Sequence, residues 1–287
     1  MIRRLFFKLI IFIISGGSMF AKKEKVEIPT NAKWYDDYFT YEYIDDNTIA
    51  IGEPRYYQKN YSYLLLGTIK AILFDSGTGY HNIEPLVRSL TKLPVISIPS
   101  HFHFDHLGQI NDFEETLLCK IQLENQILSE NKCLTPTEDS FLGKVEGVTP
   151  PQIHYDDVLE ADATLDIGNR SVRVIPVPGH ARNSIALYDD HSMQLFIGDY
   201  MMPGILGISK LLVPDGSLDD TIVTANHLAE TVQRDTIIYC SHALDYTLPV
   251  LHYRDIQDLA DFLNNNSFRQ NMIPKYKRIN DNMKLFF

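Results

Sequence analysis

Short apolar runs of strand length, separated by turn residues, dominate the first half of the chain. Four such runs lie at 48–52, 61–67, 70–75 and 95–100. Between the last two, apolar residues recur at helical spacing over 83–90, as Ile83, Leu86, Val87 and Leu90. Runs of four to eight apolar residues bounded by turn residues are typical of strands. After residue 100 the pattern predicts a brief strand from Leu117 and then a helix that begins near Leu123.

The second half repeats this pattern. Five further strands are predicted, at 163–168, 171–177, 184–189, 193–199 and 236–240. Ser217, with Asp220 three residues later, fits a capping box at the start of a helix, and 253–263 has the pattern of a last helix. Because each half runs strands first and helix later, we expect two sheets, each covered by helices on one side. No linker interrupts the pattern, so residues 22–287 are predicted to form a single domain.

Residues 1–21 have the layout of a secretory signal peptide. A basic start, "MIRR", precedes the apolar "LFFKLIIFII" and the small residues of "SGGSMFA". Cleavage is expected after Ala21 or after Ser18, and an uncleaved membrane anchor is the alternative. The apolar run is shorter than the ~20 residues that a membrane span needs, so no stable span is expected after cleavage. The sequence therefore predicts an exported protein, periplasmic or secreted.

Net charge bears on the class of binding partner, and cysteine spacing bears on metal binding and disulfides. The formal net charge is −11, which would repel nucleic acid phosphates, so nucleic acid is not an expected partner. The three cysteines, Cys119, Cys133 and Cys240, show no CxxC metal pattern, and one disulfide between Cys119 and Cys133 is left open.

One loop concentrates residues that bind metals. The segment "IPSHFHFDHLG" at 98–108 places His101, His103, Asp105 and His106 within six positions. Imidazole nitrogens and carboxylate oxygens are ligands for zinc, and a catalytic zinc keeps one position open for water. Four candidate ligands on one loop are more than one such site requires, so the loop predicts two metals.

Three more candidate ligands each follow an apolar run. His180 lies in "VIPVPGHARNS", Asp199 in "LFIGDY" and His242 in "IIYCSHALDY". Strand ends are positions at which a sheet can hold loop ligands rigidly. The other five histidines lie outside these motifs and are predicted to be surface or helix residues: His81, His154, His191, His227 and His252.

With these motifs in this order, the chain resembles the metallo-β-lactamase-fold hydrolases. The resemblance rests on HxHxDH at 101–106, Gly-His at 179–180, Gly-Asp at 198–199, Ser-His at 241–242 and "FDSG", in which Asp75 ends a strand. It implies an α/β fold of the α+β kind, a four-layer αββα sandwich with the metals between two sheets. It also implies that His101, His103 and His180 hold one zinc, that Asp105, His106 and His242 hold a second, and that Asp199 bridges them. Asp75 is similar to a family position that orients metal-binding loop residues.

The implied chemistry is hydrolysis. Two zinc ions can share a water molecule, lower its pKa towards neutrality and present a bridging hydroxide to the substrate. Asp105 could orient this nucleophile and carry its proton to the leaving group. Iron or manganese could replace zinc.

Asp199 indicates the branch of the family. True metallo-β-lactamases commonly have Cys or Ser there, whereas the bridging Asp is similar to the glyoxalase II, lactonase and phosphodiesterase branches. Glyoxalase II proper is disfavoured, because only residues 243–287 follow His242, too few for its extra helical domain. The lactonases that share the HxHFDH run place a catalytic Tyr three residues after the Asp. Met202 holds that position here, and Tyr200 is the nearest candidate.

Two segments near the motifs predict an apolar substrate. Residues 201–214, "MMPGILGISKLLVP", could form a flap over the site, and 55–61, "RYYQKNY", a second, aromatic wall. We therefore expect a small-molecule ester, thioester or lactone with an apolar acyl group. Hydrolysis of a β-lactam is the main alternative, followed by a phosphodiesterase, an iron-dependent sulfur dioxygenase and a non-catalytic metal-binding protein. The oligomeric state is left open.

Overall fold

The computed structural model describes residues 26–210, 212–266, 268 and 275–287. The predicted signal peptide at 1–21 lies outside these ranges, so export remains a prediction. Within them, no helix has both the length and the apolar composition that a membrane crossing requires.

Twenty strands and five α-helices are present in the described residues. The strands are β1 Lys33–Trp34, β2 Thr40–Asp45, β3 Thr48–Glu53, β4 Asn60–Leu66, β5 Ala71–Phe74, β6 Val95–Ile98, β7 Glu115–Cys119, β8 Ile127–Ser129, β9 Cys133–Thr135, β10 Ile153–His154, β11 Asp157–Leu159, β12 Thr164–Asp166, β13 Ser171–Pro176, β14 Ile185–Asp189, β15 Gln194–Phe196, β16 Gly204–Gly207, β17 Ile237–Tyr239, β18 Val250–His252, β19 Tyr276–Arg278 and β20 Met283–Phe286. The helices are α1 Glu84–Leu90, α2 Lys120–Leu123, α3 Glu138–Phe141, α4 Leu218–Thr231 and α5 Tyr253–Asn265.

Two large mixed sheets form the centre of the fold. The first has eight strands in the order β1-β2-β3-β4-β5-β6-β7-β11, and the second has six in the order β12-β13-β14-β15-β17-β18. The first sheet is antiparallel as far as β5 and parallel from β5 onward. Two small three-stranded sheets, β10-β9-β8 and β16-β20-β19, are added at the periphery.

Alternation of side chains along the strands creates the layers. In β5, Ile72 and Phe74 pack between the two sheets, whereas Ala71 and Leu73 face outward. In β14, Ile185 and Leu187 face the first sheet, and Ala186 and Tyr188 face away from it. Both faces of each sheet are therefore apolar, as expected for sheets buried on both sides.

The helices cover the two outward faces. Leu86 and Val87 of α1 pack on the outer face of the first sheet, and Leu228 of α4 and Leu259 of α5 pack on the outer face of the second. The predicted four-layer αββα sandwich is therefore confirmed. Half of the predicted capping box of α4 is present, because the Ser217 side chain accepts a hydrogen bond from the Asp220 amide, whereas the Ser217 amide donates to the Gly179 carbonyl and not to the Asp220 side chain.

The prediction of a helix beginning near Leu123 was wrong. Helix α2 has a single turn and ends at Leu123, and Asn125 adopts a left-handed conformation with φ of 59°. Gln122 holds this turn, because its side chain accepts from the Cys119 amide and donates to the Pro99 carbonyl. The chain then forms β8, β9 and β10 instead of a longer helix.

The disulfide that the sequence left open is not formed. Cys119, Cys133 and Cys240 are all free and buried, and the Cys133 Sγ contacts the His154 Nδ1 at 2.8 Å.

Candidate metal centre

The topology explains why ligands from distant parts of the sequence meet. Strand β5 runs parallel to β6, and β15 runs parallel to β17, so each pair ends at one edge of its sheet. The two edges are joined, because the Tyr61 amide donates to the Ser241 carbonyl and the Ile185 amide to the Ser100 carbonyl. The loops that follow β6, β13, β15 and β17 therefore converge on one crevice between the sheets.

All seven predicted ligands lie in this crevice, and each is at most 7% exposed. They form two groups whose ligand atoms lie within 4.8 Å of one another: His101, His103, His180 and Asp199, and Asp105, His106 and His242. This division is the one that the family resemblance implied.

The first group surrounds one side of the Asp199 carboxylate. The Asp199 Oδ2 is 3.6 Å from the His180 Nε2 and 3.9 Å from the His101 Nε2. The His103 Nδ1 is 3.2 Å from the His180 Nε2. These three imidazoles therefore present nitrogens to a common point next to Asp199.

The second group lies on the other side of the same oxygen. The Asp199 Oδ2 is 3.0 Å from the His242 Nε2 and 3.6 Å from the His106 Nε2. Asp105 completes the group, with carboxylate oxygens 3.6 Å from the His242 Nε2 and 3.7 Å from the His106 Nε2. Asp199 is thus within 4 Å of nitrogens of both groups, the position that a bridging carboxylate requires.

Unpartnered polar atoms test whether the crevice fits metal ions. Within the described residues, the Nε2 atoms of His101 and His106 are buried and have no hydrogen-bond partner, and the same holds for the Asp199 Oδ1. A buried polar atom without a partner costs free energy, so native proteins rarely contain several together. Metal coordination would satisfy them, and this set of imidazoles and carboxylates suits zinc.

The electrostatics of the crevice are consistent with this fit. Burial lowers the pKa of His101 and His103, which keeps these imidazoles neutral, the form that binds metal. Burial also opposes a proton on His106, but the carboxylates of Asp75 and Asp199 outweigh it and raise the pKa of this imidazole. Metal binding to the second group therefore competes with a proton on His106.

Asp75 joins the loops that carry the ligands. Its Oδ2 accepts hydrogen bonds from the His106 Nδ1 at 2.9 Å, the Ser100 Oγ at 2.9 Å and the Ser241 Oγ at 3.2 Å, and its Oδ1 accepts from the Ser100 amide at 2.6 Å. Its backbone is left-handed, with φ of 64°, a conformation that costs free energy in a residue other than glycine. These contacts are those of a residue that orients the ligand loops.

Two further residues position ligands and were missed in the sequence. The Asn60 Nδ2 donates to the Asp105 carbonyl at 2.9 Å and to its Oδ2 at 3.2 Å. The Ser100 Oγ lies 2.9 Å from the His101 Nδ1. Asn60 begins β4, 45 residues before Asp105, and no local motif links the two positions.

A cavity of about 550 Å³ opens over both groups. His103, Asp105, His180, Asp199 and His242 form part of its floor, and apolar side chains form most of its wall. The wall includes Met202, Pro203, Ile205 and Val213 of the predicted 201–214 segment, together with Leu142, Leu244 and Phe286. Tyr57, Gln58 and Lys59 of the predicted second wall also line it.

The structure places Tyr200 outside this cavity. The side chain is fully buried among the core residues between the second sheet and its helices, and its hydroxyl donates to the Thr221 carbonyl at 2.8 Å. Consecutive residues point to different sides here, so Tyr200 faces the core although Asp199 faces the crevice. The suggested catalytic role for Tyr200 is therefore not supported.

Comparison with known proteins identifies the family. Residues 58–242 match the sequence model of the metallo-beta-lactamase superfamily. The probable metallo-hydrolase YqgX of Bacillus subtilis is 24% identical over 71% of this chain and 92% of its own length. The human acyl-coenzyme A thioesterase MBLAC2 is 24% identical over 70% of this chain and 79% of its own. A hydroxyacylglutathione hydrolase of Synechococcus is 27% identical over 68% of this chain and 67% of its own.

Solved structures agree on the fold. A metallo-beta-lactamase from Pontibacter korlensis superimposes with a TM-score of 0.58 at 17% identity, over 79% of this chain and all of that chain. The matched region begins in the second cavity wall and ends at His242, so it contains all seven candidate ligands. The chain therefore belongs to the metallo-β-lactamase superfamily and is a hydrolase.

Proposed function

We propose that the protein is a dinuclear zinc hydrolase that cleaves a thioester or ester with an apolar acyl group. The observation that carries the proposal is the apolar cavity directly above two adjacent groups of candidate ligands. Such a cavity can hold an apolar acyl group while its carbonyl faces the floor. Two relatives have the names of acyl hydrolases, one of them a thioesterase, which favours a thioester within this class.

In the proposed site, each ligand group would hold one ion, and Asp199 lies close to both groups. His101, His103 and His180 would bind the first, and Asp105, His106 and His242 the second. Zinc suits this donor set, and iron or manganese are the alternatives. Zinc would activate a water molecule and polarise the acyl carbonyl.

Asp105 is the residue proposed to move the proton. Asp105 lines the cavity, and the Asn60 amide donates to its Oδ2 at 3.2 Å. The carboxylate could accept a proton from the attacking water and deliver it to the departing thiolate or alkoxide. The apolar wall would exclude bulk water from the acyl group during this transfer.

A substrate panel tests the proposal. Purified zinc-loaded protein is assayed with a decanoyl thioester, the matching oxygen ester, a decanoyl lactone, an activated phosphodiester and a chromogenic cephalosporin. We expect the highest kcat/KM for the thioester, loss of activity with a chelator and recovery with added zinc. The His103→Ala protein, prepared in the same way, controls for contaminating esterases.

Two outcomes would contradict this proposal. Turnover of the phosphodiester or the cephalosporin without turnover of any acyl substrate would show that the enzyme cleaves a different class of bond. Full activity after quantitative removal of the metal would exclude the proposed chemistry.

A further inference from the structure

The small sheet formed by β16, β20 and β19 provides one side of the cavity. In β16, Leu206 is fully buried in the core, whereas Ile205 and Gly207 line the cavity. In β20, Leu285 is fully buried in the core, and Lys284 and Phe286 line the cavity. Strand alternation therefore turns Leu206 and Leu285 to the core and the side chains of Ile205, Lys284 and Phe286 to the cavity, which Gly204 and Met283 at the starts of the strands also border.

Strand β16 begins with Gly204 and ends with Gly207, and the two positions differ in how well they could accommodate a side chain. Gly204 has a φ of +93°, a backbone conformation that favours glycine, and an added Cβ would lie 2.5 Å from the tip of the Leu244 side chain. Gly207 has no such φ, and an added Cβ would meet no heavy atom within 4 Å. Neither backbone conformation nor packing therefore requires glycine at 207.

The space next to Gly207 lies beside the candidate metal centre. The Gly207 carbonyl accepts a hydrogen bond from the His180 Nδ1 at 2.8 Å, and Gly207 is paired in register with Phe286. Glycine weakens a strand, and within strands it often marks a place where a ligand approaches the backbone closely. The open space thus connects the floor of the cavity with an aromatic side chain of its wall.

We propose that this space is the acyl-binding subsite, and that the acyl chain passes over Gly207 and packs against Phe286 and Ile205. The inference rests on the proposed function and names its ligand class as an acyl group considerably longer than acetyl. Gly207 then acts as the size determinant, because any side chain at this position would occupy the path of the acyl chain.

Graded filling of the subsite tests this assignment. Gly207→Ala, Gly207→Val and Gly207→Leu are compared with the wild type on acetyl and decanoyl thioesters of the same thiol. We expect the ratio of kcat/KM for decanoyl over acetyl to fall stepwise, by roughly tenfold or more in Gly207→Leu, since one methylene in a pocket can change kcat/KM by about tenfold. The His180 bond uses the Gly207 backbone carbonyl, so bound metal should remain at the wild-type level.

Matched variants separate the subsite from general damage. Lys277→Leu adds the same side chain to the exposed strand β19 of this sheet, and should leave the decanoyl-to-acetyl ratio unchanged. Phe286→Ala combined with Gly207→Leu should recover part of the lost decanoyl turnover, because it restores volume opposite position 207. An unchanged ratio in Gly207→Leu, or the same shift in Lys277→Leu, would overturn the subsite.

A binding measurement distinguishes failure of this inference from failure of the proposed function. Decanoate, the product that the proposed reaction would release, is titrated into wild-type and Gly207→Leu protein by calorimetry. Binding that is at least about tenfold weaker in Gly207→Leu supports the subsite even if the wild type hydrolyses no thioester. Equal decanoate binding, or no binding to either protein, would overturn the subsite even if thioesters are hydrolysed.

Discussion

The floor and the wall of the cavity are built in opposite ways. On the floor, candidate ligands are buried and held by a second contact: Asp75 holds His106, Ser100 faces His101, and the Gly207 carbonyl holds His180. The wall is formed mostly by apolar side chains from the segment after Asp199 and from the small C-terminal sheet, and several of them, including Met202 and Ile205, are only partly buried.

This difference indicates that the floor positions the candidate ligands and that the wall determines which substrates fit. Buried hydrogen bonds fix the position of a ligand within the limits that metal chemistry requires. An apolar wall makes few directional contacts, and apart from the Gly207 backbone carbonyl that holds His180, its side chains can change without moving the floor. Substitutions in the floor should therefore affect every substrate alike, whereas substitutions in the wall should change the preference between substrates, as proposed for Gly207.

The largest expected effect is the loss of a floor ligand. His103→Ala and Asp199→Ala should each lower kcat/KM by about 1000-fold or more on all acyl substrates, because metal ions contribute several kcal/mol to transition-state stabilisation. Bound zinc, measured by elemental analysis, should fall, while the circular dichroism of the sheets is retained. Wild-type zinc content in both variants would refute the ligand assignment.

An intermediate effect is expected at Asp75, which contacts no substrate. Asp75→Ala removes the acceptor for His106, Ser100 and Ser241, so zinc affinity should fall by about 10–100-fold, the range typical of such outer contacts. Zinc titration with a competing chelator measures this, and excess zinc should restore part of the activity. An unchanged zinc affinity would show that the ligand loops do not depend on Asp75.

The smallest effect on turnover is expected at Tyr200, which is adjacent to a ligand but faces the core. Tyr200→Phe removes the hydrogen bond to the Thr221 carbonyl, which keeps its donor within the helix, so the free energy of unfolding should fall by about 0.5–1.5 kcal/mol. Because the hydroxyl does not reach the cavity, kcat/KM should stay at the wild-type value. Denaturant unfolding and the thioester assay measure the two quantities, and a selective loss of turnover would restore a catalytic role for Tyr200.

Parts of the fold that depend on local patterns were predictable. Strands such as β4, β5 and β14 are short apolar runs, and the Ser217 cap precedes a helical stripe, so each is specified by residues close in sequence. The one-turn helix α2 and the strands β8 to β10 were missed. Their arrangement depends on the long-range bond from Gln122 to Pro99 and on pairing between short strands, which no local period reveals.

The candidate site likewise contains features that were predictable from the sequence and features that were not. The sequence by itself determined the seven candidate ligands and the strands that end at them, because ligand chemistry and strand length are properties of short segments. Only the tertiary structure decided that Asn60 supports Asp105, that Tyr200 faces the core, and that β20 completes the cavity beside Gly207. Each of these depends on strand register and sheet packing, which bring together residues that are far apart in the chain and share no local sequence signal.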